Sequence, residues 1–356
     1  MSRRIHRLFV ACSILTASSV PAPLSGQTTA PPRRWVLAYA GAPARHTAYP
    51  RYTLDDFVRL VSAVDSAGRP RAWLTTGTIF LELYAPSTRV FTNWMQGTPA
   101  RGEDWREYID TILAPGGAMA RLDSAVAIVE RSLGRRGQLY DVAIMIPYSN
   151  YQMDTLRYQG TLYTLGEPRS GAALVAAYVS DVKTGFRARG FQHVSLRAFY
   201  WLHESIEGTD TAVVPEVAKR VHAEGFQFLW IPFFDAPGWR RWQALGFDYA
   251  WLQPNYFIVL ALPALRVDSA IARARAFGMG IELEFDRRLL SSTAQYEDRL
   301  GTYLSRLRAA PDLRTLAVYD GAGALIVLSR APDWWSQCLY RRIVDVLTSG
   351  DSSVAH

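Results

Sequence analysis

Two glutamates, Glu282 and Glu284, lie two residues apart in the mostly apolar segment 278–286. Side chains alternate across a β-strand, so a strand here would place both carboxylates on one face and the apolar side chains on the other. A buried carboxylate is costly unless it is paired or hydrogen-bonded. The pair therefore indicates either a polar ligand site or a compensated ion network.

A third carboxylate, Glu204, ends the apolar segment 194–204. Two carboxylates facing each other across a cleft can hydrolyse a glycosidic bond, because one protonates the leaving oxygen while the other attacks the anomeric carbon or activates water. We predict Glu204 as the general acid/base and Glu284 as the nucleophile or base. Glu282 lies one strand repeat, about 6.6 Å, deeper, and is predicted to support the site from the interior. Alternatively, Glu204 accepts amides at a helix start.

Strand and helix patterns alternate from residue 35 to residue 347. The strand segments are nearly continuous apolar runs, which is typical of parallel strands covered on both faces. We predict an α/β fold with a single (β/α)8 TIM barrel as its one domain, residues 35–347. A doubly wound open sheet is the alternative, although it would leave the apolar first and last strands as edges. The predicted strands are 35–40, 72–84, 141–148, 194–204, 226–234, 249–253, 278–286 and 315–319. The predicted helices begin with one capped at Thr53 and continue with 119–133, 171–189, 213–224, 239–245, 267–277, 293–308 and 334–347.

Polar and aromatic residues cluster where the predicted strands end, and in a barrel these ends form the functional face. His203 is expected to be a core or supporting histidine rather than a catalytic one. Trp239 follows Pro237-Gly238 in a loop and is the predicted sugar platform. Gln253, Asn255 and Tyr256 suit hydroxyl recognition, with loop self-capping as the alternative. The predicted substrate-binding residues are Tyr39, Tyr148, His203, Asp235, Trp239, Gln253, Asn255, Tyr256, Glu282 and Tyr319.

Residues 1–26 have the pattern of a signal peptide, with a basic start, an apolar run and a small-residue stretch at the end. We expect removal of this segment and a secreted or periplasmic protein. Lipoprotein anchoring through Cys12 is not expected, because the residues before Cys12 fit a lipobox poorly. Residues 27–34 are predicted to be a linker, and residues 348–356 a disordered tail.

Composition and motifs argue against several other classes of protein. The formal net charge of +7 falls to +4 when the three arginines of the signal segment are removed, and the remaining arginines form no basic stripe, so nucleic acid is not a predicted partner. No segment is long and apolar enough to span a membrane. The six histidines lack metal-ligand spacing, and no phosphate-loop or dinucleotide motif is present, so neither metal nor cofactor is predicted. The oligomeric state is left open.

Several segments together resemble a known family. These are Tyr-Trp-Leu-His-Glu ending at Glu204, Leu-Gln-Pro-Asn-Tyr ending at Tyr256, and Gly-Ile-Glu-Leu-Glu-Phe-Asp ending at Asp286. In order and spacing they are similar to a bacterial family catalogued as a domain of unknown function and likened to glycoside-hydrolase barrels, over about residues 36–330. The resemblance implies a barrel with its site on the carboxyl-terminal face. His203 is a departure from the retaining glycoside-hydrolase clan, which usually has Asn there.

The leading hypothesis is a secreted glycoside hydrolase that cleaves a poly- or oligosaccharide, with retention expected. Retention requires carboxyl groups about 5 to 5.5 Å apart, and inversion about 6.5 to 9.5 Å. The first alternative is a non-catalytic glycan-binding barrel of the cell envelope. The second is an envelope scaffold that docks partners through exposed tryptophans.

Overall fold

The computed structural model describes residues 33–41, 52–134, 138–148, 153–291, 294–313, 315–321 and 323–349. The predicted signal peptide, residues 27–32 of the predicted linker and residues 350–356 of the predicted tail lie outside these ranges. The last two linker residues, Arg33 and Arg34, open the first strand.

Eight parallel strands close into a barrel. Each pairs with its neighbours in the sequence, and β1 pairs with both β2 and β8, so the sheet has no edge. The strands are β1 Arg33–Tyr39, β2 Gly77–Leu81, β3 Tyr140–Ile146, β4 Val194–Trp201, β5 Gln227–Trp230, β6 Tyr249–Leu252, β7 Gly280–Asp286 and β8 Thr315–Gly321. The closure confirms the (β/α)8 barrel and excludes the doubly wound open sheet.

Helices connect most of these strands. Thr53 caps the first of them as predicted, because its hydroxyl accepts the Asp56 amide while the Asp56 carboxylate accepts the Thr53 amide. Gly278 ends the helix before β7 with a φ of +65°, a conformation that favours glycine. The described helices are α1 Leu54–Val61, α2 Gly102–Ile112, α3 Ala118–Leu133, α4 Pro168–Arg189, α5 Asp210–Ala223, α6 Leu265–Phe277, α7 Ala294–Arg308, α8 Ala324–Arg330 and α9 Trp334–Thr348.

Two predicted elements differ in the structure. The helix predicted over 239–245 is only a 3₁₀ turn, Trp239–Arg241, with hydrogen bonds from the Arg241 amide to the Gly238 carbonyl and from the Trp242 amide to the Trp239 carbonyl. The strand predicted over 72–84 divides into the second arm of an antiparallel hairpin, Ser62–Val64 with Pro70–Trp73, and the barrel strand β2.

Three further elements were not predicted. These are the helices α2 and α8 and a hairpin of Thr155–Tyr158 with Thr161–Thr164. The hairpin and α2 lie in long connections that follow barrel strands on the face where the strands end.

The barrel core is filled by large side chains. Trp35 and Trp251 are completely buried, and their rings meet edge to face with centroids 6.4 Å apart. These tryptophans fill the wall instead of contacting solvent. The lower barrel is thus a rigid apolar support for the polar residues at the mouth.

Candidate active site

A cavity of about 150 Å³ opens at the carboxyl ends of the strands. Its wall combines carboxyl, amide and phenol groups with large apolar side chains. The residues that line it are Leu37, Tyr39, Leu81, Leu83, Trp94, Tyr200, Leu202, Glu204, Ile231, Gln253, Ile258, Glu282 and Tyr319.

Glu204 reaches this cavity because of the alternation that begins in β4. Tyr200, Leu202 and Glu204 line the cavity, while the intervening Trp201 and His203 do not. Glu204 is half-buried, and desolvation by the surrounding protein raises the pKa of its carboxyl to about 7. The group therefore exchanges its proton near neutral pH, which suits a general acid or base.

Glu282 is the second carboxyl in the cavity wall. Burial raises its pKa well above the usual value, the charges of Glu284 and Glu204 raise it further, and the Gln253 amide opposes this by donating a hydrogen bond. Among the described residues, neither Glu282 Oε2 nor Gln253 Oε1 has a hydrogen-bond partner, although both atoms are buried. Two unpartnered acceptors in one cavity wall are suited to binding hydroxyl groups of a ligand.

Glu284 has a different environment from the one predicted. It is completely buried and does not line the cavity. The Tyr303 hydroxyl donates to Glu284 Oε2, and the amides of Asn255 and Tyr256 also hydrogen-bond to the carboxyl. Burial raises the pKa of Glu284 to about 8 despite these bonds. The predicted order, with Glu284 at the rim and Glu282 beneath it, is wrong because the β6–α6 loop folds over the end of β7.

The three carboxyls interact electrostatically. A charge on Glu204 raises the pKa of Glu282 and of Glu284, and a charge on Glu284 raises that of Glu282. Their titrations are therefore coupled, and ionisation of one favours the protonated form of the others. A paired-carboxyl mechanism needs such a state, with one group charged and another protonated.

Four of the predicted binding residues meet Glu204 at the cavity: Tyr39, Gln253, Glu282 and Tyr319. The rings of Tyr39 and Tyr319 pack edge to face with centroids 6.1 Å apart. Because β1 and β8 are neighbours in the closed barrel, this contact joins the first and last strands at the mouth.

Tyr148 and His203 lie elsewhere. Their rings stack with centroids 4.2 Å apart, and the Tyr148 hydroxyl donates to Asp210 Oδ2 at 2.8 Å. His203 is buried. Its Nδ1 lies 3.4 Å from the same Asp210 oxygen, and its Nε2 lies 3.3 Å from Ser205 Oγ. This network agrees with a supporting role for His203, because it holds the chain on both sides of Glu204.

Asp235 and Trp239 also lie outside the cavity lining. Asp235 is exposed and pairs with Arg273 at 2.9 Å. Trp239 is only 5% exposed, packs on Phe277 and lies beside the Arg273 guanidinium. The prediction of Trp239 as an exposed sugar platform is wrong, because long-range packing buries its ring.

Asn255 and Tyr256 likewise do not line the cavity. Asn255 has a φ of +58°, and the ring of Tyr256 lies beneath the Arg299 guanidinium at 4.2 Å. Their amides bind Glu284 as described above. The predicted alternative of a structural role in the loop therefore fits their positions.

Two aromatic residues of the cavity, Tyr200 and Trp94, were not among the predicted site residues. Tyr200 precedes Glu204 by four positions, and the two-residue period of β4 would have placed it on the same face. Trp94 belongs to the connection between β2 and α2 and is 55% exposed. No periodic pattern in that connection indicates its position.

A larger cavity of about 450 Å³ lies between the barrel and helices α4 and α5. Tyr148, Trp201 and Asp210 are part of its mainly apolar wall, and it contains none of the three glutamates.

Among the described residues, no group of three or more His, Cys, Asp or Glu side chains is arranged to hold a metal ion. None of the described helices has the length and apolar character of a membrane span.

Fold and site together define an enzyme-like TIM barrel with an acidic, aromatic cavity at the carboxyl ends of its strands. Residues 34–345 match the model of the family described as a domain of unknown function, DUF4855. The chain belongs to that family, and the matched residues span the barrel. This confirms the resemblance seen in the sequence.

The solved structures that are similar to this chain come from proteins named for different activities. A mutant tryptophan synthase α-subunit from Pyrococcus furiosus is 12% identical, with a TM-score of 0.39 and coverage of 88% of this chain and 97% of that one. The GH18 chitinase ChiB of Flavobacterium johnsoniae is 9% identical, with a TM-score of 0.41 and coverage of 89% and 94%. The carboxyl transferase domain of Rhizobium etli pyruvate carboxylase is 8% identical, with a TM-score of 0.39 and coverage of 91% and 50%. A comparison with curated proteins gave no match.

Proposed function

We propose that this protein is a glycoside hydrolase whose reacting carboxyls are Glu204 and Glu282. The observation that carries the proposal is the cavity these two groups share, where one carboxyl has a pKa of about 7 and the other has an unpartnered oxygen. Trp94, Tyr39 and Tyr319 supply aromatic surface on which a sugar ring can stack. The segment 1–26 would direct such an enzyme out of the cytoplasm.

In the proposed reaction Glu204 donates its proton to the glycosidic oxygen as the bond to the anomeric carbon breaks. Glu282, as the carboxylate, stabilises the positive charge that develops on the sugar and either attacks the anomeric carbon or activates water. Burial by itself raises the pKa of Glu282, so its carboxylate needs stabilisation. Protonated Glu204 and Glu284 remove the opposing charges, and the positive charge that develops on the sugar supplies the attraction. In the covalent route, Glu204 then accepts a proton from the water that releases the sugar.

Glu284 has a positioning role in this proposal. It binds the amides of Asn255 and Tyr256 behind the cavity and influences the charge of Glu282 without facing the substrate. The nucleophile proposed from the sequence is thereby replaced by its neighbour on the same strand.

The proposed mechanism predicts the direction of the pH dependence. Glu204 is protonated below its pKa of about 7 and loses its proton above it. The value of kcat/KM should therefore fall about tenfold for each pH unit above about 7.5. Initial rates measured from about pH 5 to about pH 9 test this. A rate that stays constant through pH 9 would exclude Glu204 as the proton donor.

A second prediction concerns the exposed ring of Trp94. Trp94→Ala should raise KM about fivefold to tenfold and leave kcat within about twofold, because one stacking surface for the sugar is lost while the carboxyls stay in place. Trp334→Ala is the matched control, since Trp334 is 75% exposed on α9. Equal effects of the two substitutions would show that Trp94 does not contact the substrate.

The direct test is a screen of the purified protein against bacterial and plant polysaccharides and oligosaccharides, measured as release of reducing ends. A hydrolase releases them from at least one substrate class, and Glu204→Gln protein serves as the inactive control. Binding of glycans with no release from any of them would instead support the non-catalytic glycan-binding barrel.

A further inference from the structure

The loop between β6 and α6 presents an unusual surface. All eight residues from 258 to 265 are apolar, in the sequence Ile-Val-Leu-Ala-Leu-Pro-Ala-Leu. The exposed fractions are 37% for Ile258, 44% for Val259, 40% for Leu260 and 67% for Leu265. We call residues 258–265 the apolar ledge. Scattered exposed leucines are ordinary, but a contiguous run of this kind marks a binding surface.

The ledge has a fixed backbone. Arg299 of α7 is buried and donates hydrogen bonds to the carbonyl oxygens of Tyr256, Leu260 and Leu262, the last at 3.0 Å. Two hydrogen bonds of about 3 Å within the loop also fix the backbone. The Val259 amide donates to the Asn255 carbonyl, and the Leu262 amide donates to the Val259 carbonyl. These bonds fix the backbone through its own polar groups, while the side chains of Ile258, Val259, Leu260 and Leu265 remain exposed.

The ledge begins inside the mouth cavity. Ile258 lines that cavity and is also partly exposed, so the apolar surface runs continuously from the wall beside Glu204 to the outside. Trp94, which lines the same cavity, follows β2, four strands away from β6 in the closed barrel. A ligand leaving the cavity therefore has Trp94 on one side of the mouth and the ledge on the other.

The charges around the ledge indicate which occupant it fits. The ledge holds no Lys or Arg, and its neighbouring arginines are engaged: Arg266 with Asp235 and the Phe234 ring, Arg288 with Asp286, and Arg299 with the carbonyls. Loops that bind an anionic membrane surface rely on available basic side chains. A stable protein interface uses about 20 to 30 residues a side. A small apolar group fits this surface better than a membrane or a second protein.

We propose that the substrate is an amphiphilic glycoside, with its sugar in the mouth cavity and an apolar aglycone on the ledge. The inference rests on the proposed function, because the sugar-binding half of the site is the cavity of Glu204 and Glu282. The ledge then selects glycosides by the length of their hydrocarbon group.

Pairs of methyl and octyl glycosides of several common sugars test this, with dissociation constants measured below the micelle concentration. For at least one sugar the octyl compound should bind about 100-fold more tightly than the methyl compound, since each half-buried methylene adds about a factor of two. Val259→Ser/Leu260→Ser should reduce this ratio to below about 10 without changing the affinity for the methyl glycoside. Leu139→Ser is the control and should keep the ratio, because Leu139 is exposed directly before the start of β3, at the end of the barrel opposite the mouth.

Other outcomes would overturn the inference. A ratio near one for every sugar, or no binding of any octyl glycoside, would show that the ledge holds no hydrocarbon group. Binding of the wild-type protein to phosphatidylglycerol vesicles that is lost in the ledge variant would assign the ledge to a membrane, and concentration-dependent dimerisation lost in that variant would assign it to a second copy. These results are independent of glycosidase turnover, which the reducing-end screen measures separately.

Discussion

Replacing Glu204 by glutamine is expected to reduce kcat about 1,000-fold, with the dissociation constant of the substrate changed by less than about threefold. The glutamine side chain has nearly the same size and can still form hydrogen bonds, but it has no acidic proton to transfer to the leaving oxygen at a pH near 7. The loss should therefore appear in turnover and not in binding. Steady-state rates combined with equilibrium binding of the same substrate separate the two effects.

The matched control for this prediction is Glu207→Gln, an exposed residue in the same segment after β4. It should leave both constants unchanged. If Glu204→Gln protein keeps its turnover, the proton donor is another group. If a sugar binds the wild-type protein equally well and is never cleaved, the protein is a glycan-binding barrel instead of an enzyme.

The two carboxylates of β7 should respond very differently to the same change. Glu282→Gln is expected to reduce kcat about 1,000-fold or more, because it removes the carboxylate that faces the substrate. Glu284→Gln is expected to reduce kcat only about tenfold, because Glu284 lies outside the cavity wall and its amide can still accept the Tyr303 hydroxyl. Tyr303→Phe should resemble Glu284→Gln in its kinetics, since it affects the same buried contact.

Stability measurements distinguish the buried group independently of activity. The folded protein holds the Glu284 proton up to a pKa of about 8, whereas the unfolded chain releases it near the ordinary glutamate pKa of 4.5. This contribution to the free energy of unfolding is fully present below about pH 4.5 and is lost as the pH rises towards 8. Glu284→Gln should remove a part of the pH dependence on the order of 5 kcal/mol over that range. Loss of turnover in Glu284→Gln with retention in Glu282→Gln would reverse the assignment of the two residues.

Local patterns in the sequence were enough to predict the barrel. Each of its eight strands is a short apolar run, and each run is separated from the next by helical spacing or a long connection. The number and order of these strands therefore predicted that the sheet closes into a barrel. The cap at Thr53 was also predictable, since the bonds that form it involve residues only three positions apart. The short 3₁₀ turn at Trp239 was not, because Trp239 and Trp242 are held by contacts with Phe277, which is distant in sequence.

The site was predictable as a region but not in its detail. Alternation puts Glu282 and Glu284 on one face of β7, and nothing within that strand determines which of them contacts the cavity. The choice is made by Tyr303 on α7 and by amides of the β6–α6 loop, which are distant in sequence from Glu284. Trp239 shows the same limit: a loop position suggested exposure, while Phe277 and Arg273 bury the ring.

The hydrogen bonds from Arg299 have a consequence for how this protein can be altered. They hold the loop through carbonyl groups, which every amino acid provides, so the path of the chain depends little on the side chains of residues 258–265. The backbone bonds thus determine the shape of this surface, and the side chains determine its chemistry. Selectivity could be redesigned at these positions, from hydrocarbon to polar or charged groups, while the scaffold that carries Glu204 and Glu282 stays the same.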